Sequence, residues 1–101
     1  MKKVKDYYEL TAIADDDIDQ IFKSTYGEFG MEQAIKYTSE FHEVCNHLLW
    51  NPTLGRHRIE IRENLYSLSK DAHTIFYTIL DNKIKIMRIL HGSLDLPKYF
   101  Q

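Results

Sequence analysis

A chain of 101 residues, of which 44% are hydrophobic and 13% aromatic, is long enough for one domain with a modest core, and we expect a single domain over residues 1–101. The formal net charge of −2 and the pI near 6.2 disfavour direct nucleic-acid binding, which usually requires a strong positive charge. The single cysteine, Cys45, excludes an internal disulfide and fits a reducing, cytoplasmic environment. No apolar run approaches the roughly 20 residues that a membrane helix needs, so no membrane association is expected.

Charge is distributed unevenly along the chain. Residues 1–50 contain 5 Lys or Arg and 10 Asp or Glu, whereas residues 51–101 contain 8 and 5. The acidic half has helical patterns and the basic half has strand-like patterns. A basic sheet suits an acidic or phosphate-bearing partner, although ordinary solubility explains the same distribution.

The chain begins with a strand-like segment followed by a helical one. Residues 4–10 alternate loosely and are rich in strand formers, which predicts a short strand at a sheet edge. Thr11 is a candidate N-cap, and the aspartates after it lie where the helix dipole favours negative charge. Apolar residues at helical spacing then predict a helix that ends at Gly30. Its apolar stripe consists of Ile18, Ile21, Phe22, Tyr26 and Phe29.

A second helix is predicted from about residue 31 to residue 49, because the residue before Pro52 is disfavoured in helical geometry. Its apolar stripe consists of Ala34, Tyr37, Phe41, Val44, Cys45 and Leu48. The short connection at Gly30 makes the two helices an antiparallel hairpin. Both stripes are most simply explained as side chains that face the core.

The pattern changes to strands after a loop at residues 51–58. Three strand-like runs cover residues 65–70, 73–80 and 83–91. Asp71-Ala72 and Asp81-Asn82 fit tight turns between these runs. The predicted fold is therefore α+β, with a short N-terminal strand, an antiparallel helix hairpin and a three-stranded antiparallel meander.

Pairing of the last two strands sorts their side chains onto two faces, with Ile75 opposite Arg88. The face predicted to pack on the helices holds Ile75, Tyr77, Ile79, Ile84, Ile86 and Leu90, with Arg88 among them. The other face holds Thr74, Phe76, Thr78, Lys83, Lys85, Met87 and His91. This second face is mixed and partly apolar, as expected of a surface that a partner covers. A β-bulge would exchange the assignments beyond it.

Several short segments resemble those of a known family in their order and spacing. They are Asn51-Pro52-Thr53-Leu54-Gly55-Arg56, Glu60-Ile61-Arg62-Glu63, His73-Thr74-Ile75-Phe76-Tyr77 and Arg88-Ile89-Leu90-His91-Gly92 followed by Asp95. Thr11, Ala34 and Tyr37 also fit. Together these segments span almost the whole chain, which resembles the RelE/ParE toxins of bacterial type II toxin–antitoxin modules, and the ParE branch most closely.

This resemblance implies a small cytoplasmic toxin that inhibits growth and is held inactive by a cognate ParD-like antitoxin. ParE-like toxins poison DNA gyrase, whereas RelE-like relatives cut messenger RNA on the ribosome. The chain departs from the family at Tyr66, where many ParE-like toxins have an arginine. Residues 96–101 belong to a segment that varies between members.

A nuclease is the main alternative. RNA cleavage by attack of a 2′-hydroxyl needs a base, an acid and a cation, and His91 and Arg88 are the candidates for these roles. Residues that could assist are Lys70 and Arg62 as cations, and Tyr99 and Phe100 as stacking partners for bases. Strand alternation, however, places Arg88 and His91 on opposite faces. Arg88 could equally well have a structural role, in an ion pair with a carboxylate among residues 15–19 or with Glu40. We therefore assign no catalytic residue.

Neither a metal nor a cofactor is expected. His42 and His47 are poorly spaced for shared ligation on a helix, Cys45 lies between them, and His57 lies in a loop. The glycines fit turns and not a phosphate-binding loop. The sequence therefore favours a binding protein over an enzyme.

A toxin that traps one state of its target needs no catalytic group of its own. Its antitoxin is expected to be a disordered tail that folds along a groove formed by the mixed sheet face and the helix hairpin. The candidate partner-binding residues are Phe76, Lys85, Met87 and His91, and the candidates for a structural or target-related role are Arg62, Lys70 and Arg88. A third interpretation is a protein with the toxin fold that has lost toxicity and serves only as a binding partner or repressor.

Overall fold

Two helices lie against one face of a five-stranded sheet in the structure, a computed structural model that describes residues 2–92. The strands are β1 (Tyr7–Leu10), β2 (Arg56–His57), β3 (Tyr66–Lys70), β4 (His73–Ile79) and β5 (Lys83–His91). The helices are α1 (Ala12–Phe29) and α2 (Met31–His47), and a short 3₁₀ helix covers Pro52–Leu54. Asp95, Tyr99, Phe100 and the variable segment at residues 96–101 lie outside the described residues.

The strand order β1-β5-β4-β3-β2 makes the first and last described strands neighbours. The predicted antiparallel meander is present as β3, β4 and β5, and β1 is at the edge of the sheet as predicted. β1 runs parallel to β5, and the two-residue strand β2 adds a further antiparallel pair within a segment predicted as loop. The α+β fold class is therefore confirmed, with a sheet that is mixed.

Both ends of α1 are the predicted ones. The Thr11 side chain caps the helix by accepting a hydrogen bond from the Ala14 N–H at 3.0 Å. The same hydroxyl donates to the Met87 carbonyl at 2.9 Å, which ties the start of the helix to β5. At the other end, Gly30 has a φ of 92°, a conformation that favours glycine, and its N–H donates to the Tyr26 carbonyl at 2.9 Å.

A β-bulge interrupts the pairing of β4 with β5. Tyr77 is opposite Ile86, but the preceding residue, Phe76, is opposite Arg88, which makes Met87 the extra residue. Because side chains alternate along a strand, one extra residue exchanges the faces of all later residues in β5. The assignments that the sequence favours therefore hold up to Ile86 and are reversed beyond the bulge.

The reversal corrects three predicted positions. Ile75 lies opposite Ile89, and not opposite Arg88. Ile89 packs in the cluster under the helices, whereas Leu90, which was predicted to do so, lies in the cluster on the other face. His91 is opposite His73, whose ring contacts residues of α2, so His91 belongs to the helix side of the sheet.

Two apolar clusters stabilise the two faces of the sheet. The larger cluster lies between sheet and helices, and its buried members are Ala14, Ile18, Ile21, Phe41, Cys45, Leu48, Leu49, Ile75, Tyr77, Ile84, Ile86 and Ile89. The smaller cluster consists of Leu65, Phe76 and Leu90, with Ile61 and Met87 partly buried against it. Burial of a large apolar side chain stabilises a fold by about 1.5–3 kcal/mol, so both faces contribute to stability.

The hydroxyl group of Tyr77 links the loop after α2 to the core. The fully buried Tyr77 donates a hydrogen bond from its hydroxyl to the Pro52 carbonyl at 2.7 Å and accepts one from the Gly55 N–H at 2.9 Å. A Cβ atom at Gly55 would lie 2.6 Å from the Ser67 carbonyl oxygen and 2.6 Å from that hydroxyl. The loop lies so close to β3 and β4 at this point that only glycine, which has no Cβ atom, fits.

Candidate functional site

Arg88, the first candidate for chemistry, is bound to a carboxylate of α1. Its Nε and Nη2 donate to the two oxygens of Asp17, each at 2.9 Å, and Asp17 Oδ2 also accepts the Ile89 N–H at 2.9 Å. β1 pairs with β5 only from Lys83 to Ile86. The part of β5 that follows Ile86 therefore has no described strand on that side, and Asp17 of α1 can bond to it. The ion pair with a helix carboxylate among residues 15–19, one of the expected alternatives, is present.

Lys70, a second candidate, is held at the end of β3 by two carboxylates. Its ammonium contacts Glu40 Oε1 on α2 at 3.1 Å and also bonds to Asp71. Burial lowers the pKa of Lys70, but the hydrogen bonds to Asp71 and Glu40 outweigh this effect and leave the pKa raised. The ammonium also lies 5.0 Å from the centre of the Tyr37 ring. These contacts join α2 to the β3–β4 turn.

His91 lies beside a second histidine at this end of the sheet. The ring centroids of His73 and His91 are 5.5 Å apart and the rings are nearly perpendicular, at 87°. His73 Nδ1 is hydrogen-bonded to the Tyr37 hydroxyl at 2.9 Å. Burial, followed by the neighbouring His91, lowers the pKa of His73. Arg88 and His91 therefore belong to different groups, one with α1 and one with α2.

The other face of the sheet is less open than predicted. Phe76 is fully buried against Leu65 and Leu90, so the expectation that it lines an exposed surface is wrong. Ile61 and Leu65, from the segment between β2 and β3, pack over Phe76 on this face. Strand alternation alone does not predict that this segment covers the face. Met87 remains half-buried on this face.

The charged residues of this face lie towards its two sides. Lys85 is half-buried in β5, opposite Thr78 of β4 and Glu9 of β1. Arg62 is exposed in the turn after β2, where its N–H donates to the Arg58 carbonyl at 3.1 Å. The structure thus brings Met87 and Lys85 to one face and separates them from Lys70 and His91. Arg88 is paired with Phe76 on the same face as Met87, but its guanidinium is bonded to Asp17 of α1.

Tyr66, the position of the departure from the family, is part of a row of aromatic rings across three strands. It stacks on His57 of β2 with centroids 4.6 Å apart and on Tyr77 of β4 with centroids 5.5 Å apart. A ring at this position extends the cross-strand stacking that fixes β2 to the sheet. The residue therefore has a structural role in this chain.

An exposed apolar surface lies around the turn between the helices and was not predicted from the sequence. This surface, the hairpin patch, consists of Tyr26, Phe29, Met31 and Ile35, which are 51%, 66%, 51% and 53% exposed, and the half-buried Phe22. A hollow of about 240 Å³ lies within it, lined by Phe22, Lys23, Tyr26 and Met31. The prediction that the whole stripe of α1 is core is therefore wrong for Tyr26 and Phe29. Apolar patches of this kind mark binding surfaces in small proteins.

Neither a metal site with three or more protein ligands nor a reactive thiol is present in residues 2–92. No group of three or more His, Cys, Asp or Glu side chains in this part of the chain could hold a metal ion. Cys45 is buried, which raises its pKa to about 12 and removes thiolate reactivity. Within the same residues, neither helix has the length and apolar character required to cross a membrane.

Comparison with known proteins gives consistent results. Residues 8–96 match the family described as "ParE toxin of type II toxin-antitoxin system, parDE". Toxin ParE1 of Mycobacterium tuberculosis strain H37Rv is 32% identical over 92 residues, which covers 90% of this chain and 94% of that protein. Toxin ParE1 of Caulobacter vibrioides is 26% identical over 88 residues, covering 87% and 91%.

A solved structure has the same fold. It is described as "Chromosomal ParDE TA system from P. aeruginosa" and aligns with a TM-score of 0.74 at 20% sequence identity. The alignment covers 87% of this chain and 96% of the other. At this level of identity the similarity concerns the fold alone.

Proposed function

Because the chain belongs to the ParE toxin family of type II toxin–antitoxin systems, we propose that it inhibits DNA gyrase and is neutralised by a ParD-like antitoxin. The observation that carries the proposal is the match to that family over residues 8–96. Gyrase poisoning is the activity that the resemblance to ParE-like toxins implies. The toxin acts in the cytoplasm as a binding protein that stabilises one state of its target.

The arrangement of the candidate nuclease residues supports binding over RNA cleavage. Arg88 is held by Asp17 beside α1, whereas His91 lies with His73 beside α2. A base and a cation that act on one phosphodiester must lie within reach of the same group. Their separation, together with the pI near 6.2, favours the gyrase inhibitor over a RelE-type endoribonuclease.

A supercoiling assay tests the proposal. We expect purified toxin to inhibit supercoiling of relaxed plasmid by gyrase, and an equimolar amount of the cognate antitoxin to restore it. Cleavage of messenger RNA on ribosomes, without any effect on gyrase, would show that the RelE-type alternative is correct. If the toxin affects neither process, the protein has the toxin fold without toxicity.

The hairpin patch and the face with Met87 and Lys85 are the proposed antitoxin surfaces. A disordered tail gains most of its affinity by burying apolar anchors in grooves, and the hollow between Tyr26 and Met31 offers one. Lys85 and the exposed Arg62 supply positive charge for acidic side chains of the tail. A toxin of this size also gains stability from such a partner by mass action.

Substitution of Ile35 by serine should weaken antitoxin binding. Ile35 is 53% exposed in α2, so Ile35→Ser removes an apolar anchor of the hairpin patch with little effect on the core. We expect the dissociation constant to rise by about tenfold or more, since a central apolar contact contributes at least about 1–2 kcal/mol. Isothermal titration with the antitoxin measures this change.

Ile13→Ser is the matched control, because Ile13 is 56% exposed in α1 and lies outside the hairpin patch. We expect the control to bind antitoxin as the wild type does. The assignment of the hairpin patch would be contradicted if both variants lost affinity for the antitoxin equally. It would also be contradicted if Ile35→Ser bound the antitoxin as tightly as the wild type.

A further inference from the structure

Two histidines that are distant in the sequence face each other across the sheet. His73 begins β4 and His91 ends β5, and the two are directly paired in the antiparallel register. Side chains at such positions start from Cβ atoms about 4.5–5.5 Å apart. The pairing depends on the bulge at Met87, because without it the two rings would lie on opposite faces.

The separation of the rings fits a shared metal ion. With a Zn–N bond of about 2.1 Å, the centre of a ligating imidazole ring lies about 3.2 Å from the metal, and two rings at a tetrahedral angle have centres about 5.3 Å apart. The observed distance between the ring centroids of His73 and His91 is 5.5 Å. The separation of the two rings is therefore close to the separation that a shared metal ion requires.

A hydrogen bond orients the first of these rings. Histidines that bind metals usually bond to a further group through the ring nitrogen that does not face the metal, which fixes the ring and its tautomer. Here Nδ1 of His73 is bonded to the Tyr37 hydroxyl at 2.9 Å, so Nε2 is the atom available to a metal. Phe41 packs edge-on against the same ring, with centroids 5.8 Å apart. His91 is exposed, which gives an ion access from solvent.

We infer that His73 and His91 form a two-histidine site for a divalent transition metal such as Zn²⁺ or Ni²⁺. Imidazole suits these ions, and water completes their coordination. Bound metal would join the ends of β4 and β5 where the Gly92 N–H already donates to the Ala72 carbonyl at 2.9 Å. Through Tyr37 it would also fix α2 on the sheet. The inference is independent of the proposed inhibition of gyrase.

Thermal unfolding of the full chain without an affinity tag tests the site, since a polyhistidine tag would itself bind metal. We expect about 0.1 mM ZnCl₂ at pH 7.5 to raise Tm by about 4 °C or more, because a ligand that binds only the folded state stabilises it. EDTA should reverse the shift. Titration calorimetry should give one Zn²⁺ ion per chain.

Three variants identify the ligands. His91→Gln and His73→Gln should each abolish the Zn²⁺-dependent shift, whereas His47→Gln, which removes an exposed histidine of α2, should retain it. His91→Gln is decisive if His73→Gln fails to fold, because His91 is exposed. The inference is overturned if the wild type shows no shift, if His91→Gln retains the shift, or if His47→Gln loses it.

Discussion

Replacement of Asp17 by alanine is expected to lower the free energy of unfolding by about 3–5 kcal/mol, the usual cost of breaking a buried ion pair by removing one partner. The carboxylate accepts three hydrogen bonds, two from the Arg88 guanidinium and one from the Ile89 N–H. The side chains of Asp17 and Arg88 are only 12% and 19% exposed, so water replaces these bonds poorly. Urea denaturation followed by circular dichroism measures the loss.

Asp19→Ala is the control, because Asp19 is an exposed carboxylate of the same helix. Its effect should stay within about 0.5 kcal/mol of the wild type. Arg88→Ala should lower stability and gyrase inhibition together if this arginine is structural. Normal stability combined with lost toxicity would contradict that role and place Arg88 in contact with the target.

The second large effect is expected at Gly55. Gly55→Ala should lower the free energy of unfolding by about 2–3 kcal/mol, a typical cost of forcing an atom into a filled space. The added Cβ would lie 2.6 Å from the Ser67 carbonyl and 2.6 Å from the Tyr77 hydroxyl. The backbone of Gly55 has a φ of −77°, which any residue adopts, so the cost arises from contact alone. Chemical denaturation gives the difference.

Gly27→Ala makes the same substitution in open surroundings and should have the opposite sign. A Cβ atom at Gly27 would meet no heavy atom within 4 Å among its described surroundings. Alanine in a helix interior is more favourable than glycine by about 0.5–1 kcal/mol, so α1 should gain stability. Equal destabilisation at both positions would refute the steric explanation for Gly55.

Local chemistry explains which features were predictable from the sequence. Thr11 and Gly30 define α1 because capping and positive φ are properties of single residues. The turn at Asp81-Asn82 is equally local, and the Leu80 N–H donates to the Lys83 carbonyl across it at 2.9 Å. These signals determine the order of the elements and hence the fold class.

The bulge at Met87 has no comparable local signal. Methionine is neither a turn residue nor a glycine, and the extra residue is recognisable only when β4 is paired with β5. Because the bulge was not predicted, Arg88, Leu90 and His91 were each assigned to the wrong face of the sheet. The close pairing of His73 with His91 was missed for the same reason.

Hydrophobic periodicity likewise does not show what covers an apolar face. Phe76 was assigned to an exposed surface, but the segment that contains Ile61 and Leu65 buries it. Tyr26 and Phe29 were assigned to the core, yet α1 continues beyond the part that packs on the sheet and leaves them exposed. In both cases the hydrophobic pattern correctly shows which side chains share a face. Whether that face is buried depends on the segments that pack against it in the folded chain.

The position of β5 between β1 and β4 has a consequence for the order of folding during synthesis. β1 is made early but pairs with a strand that the ribosome makes late, and the Asp17–Arg88 ion pair also joins distant parts of the chain. Such non-local contacts form only after a large loop has closed. A nascent chain that ends before residue 83 lacks Ile84, Ile86 and Ile89 of the central cluster. The five-stranded sheet therefore cannot be completed until translation has passed β5, because β1 has no other partner strand among the described residues.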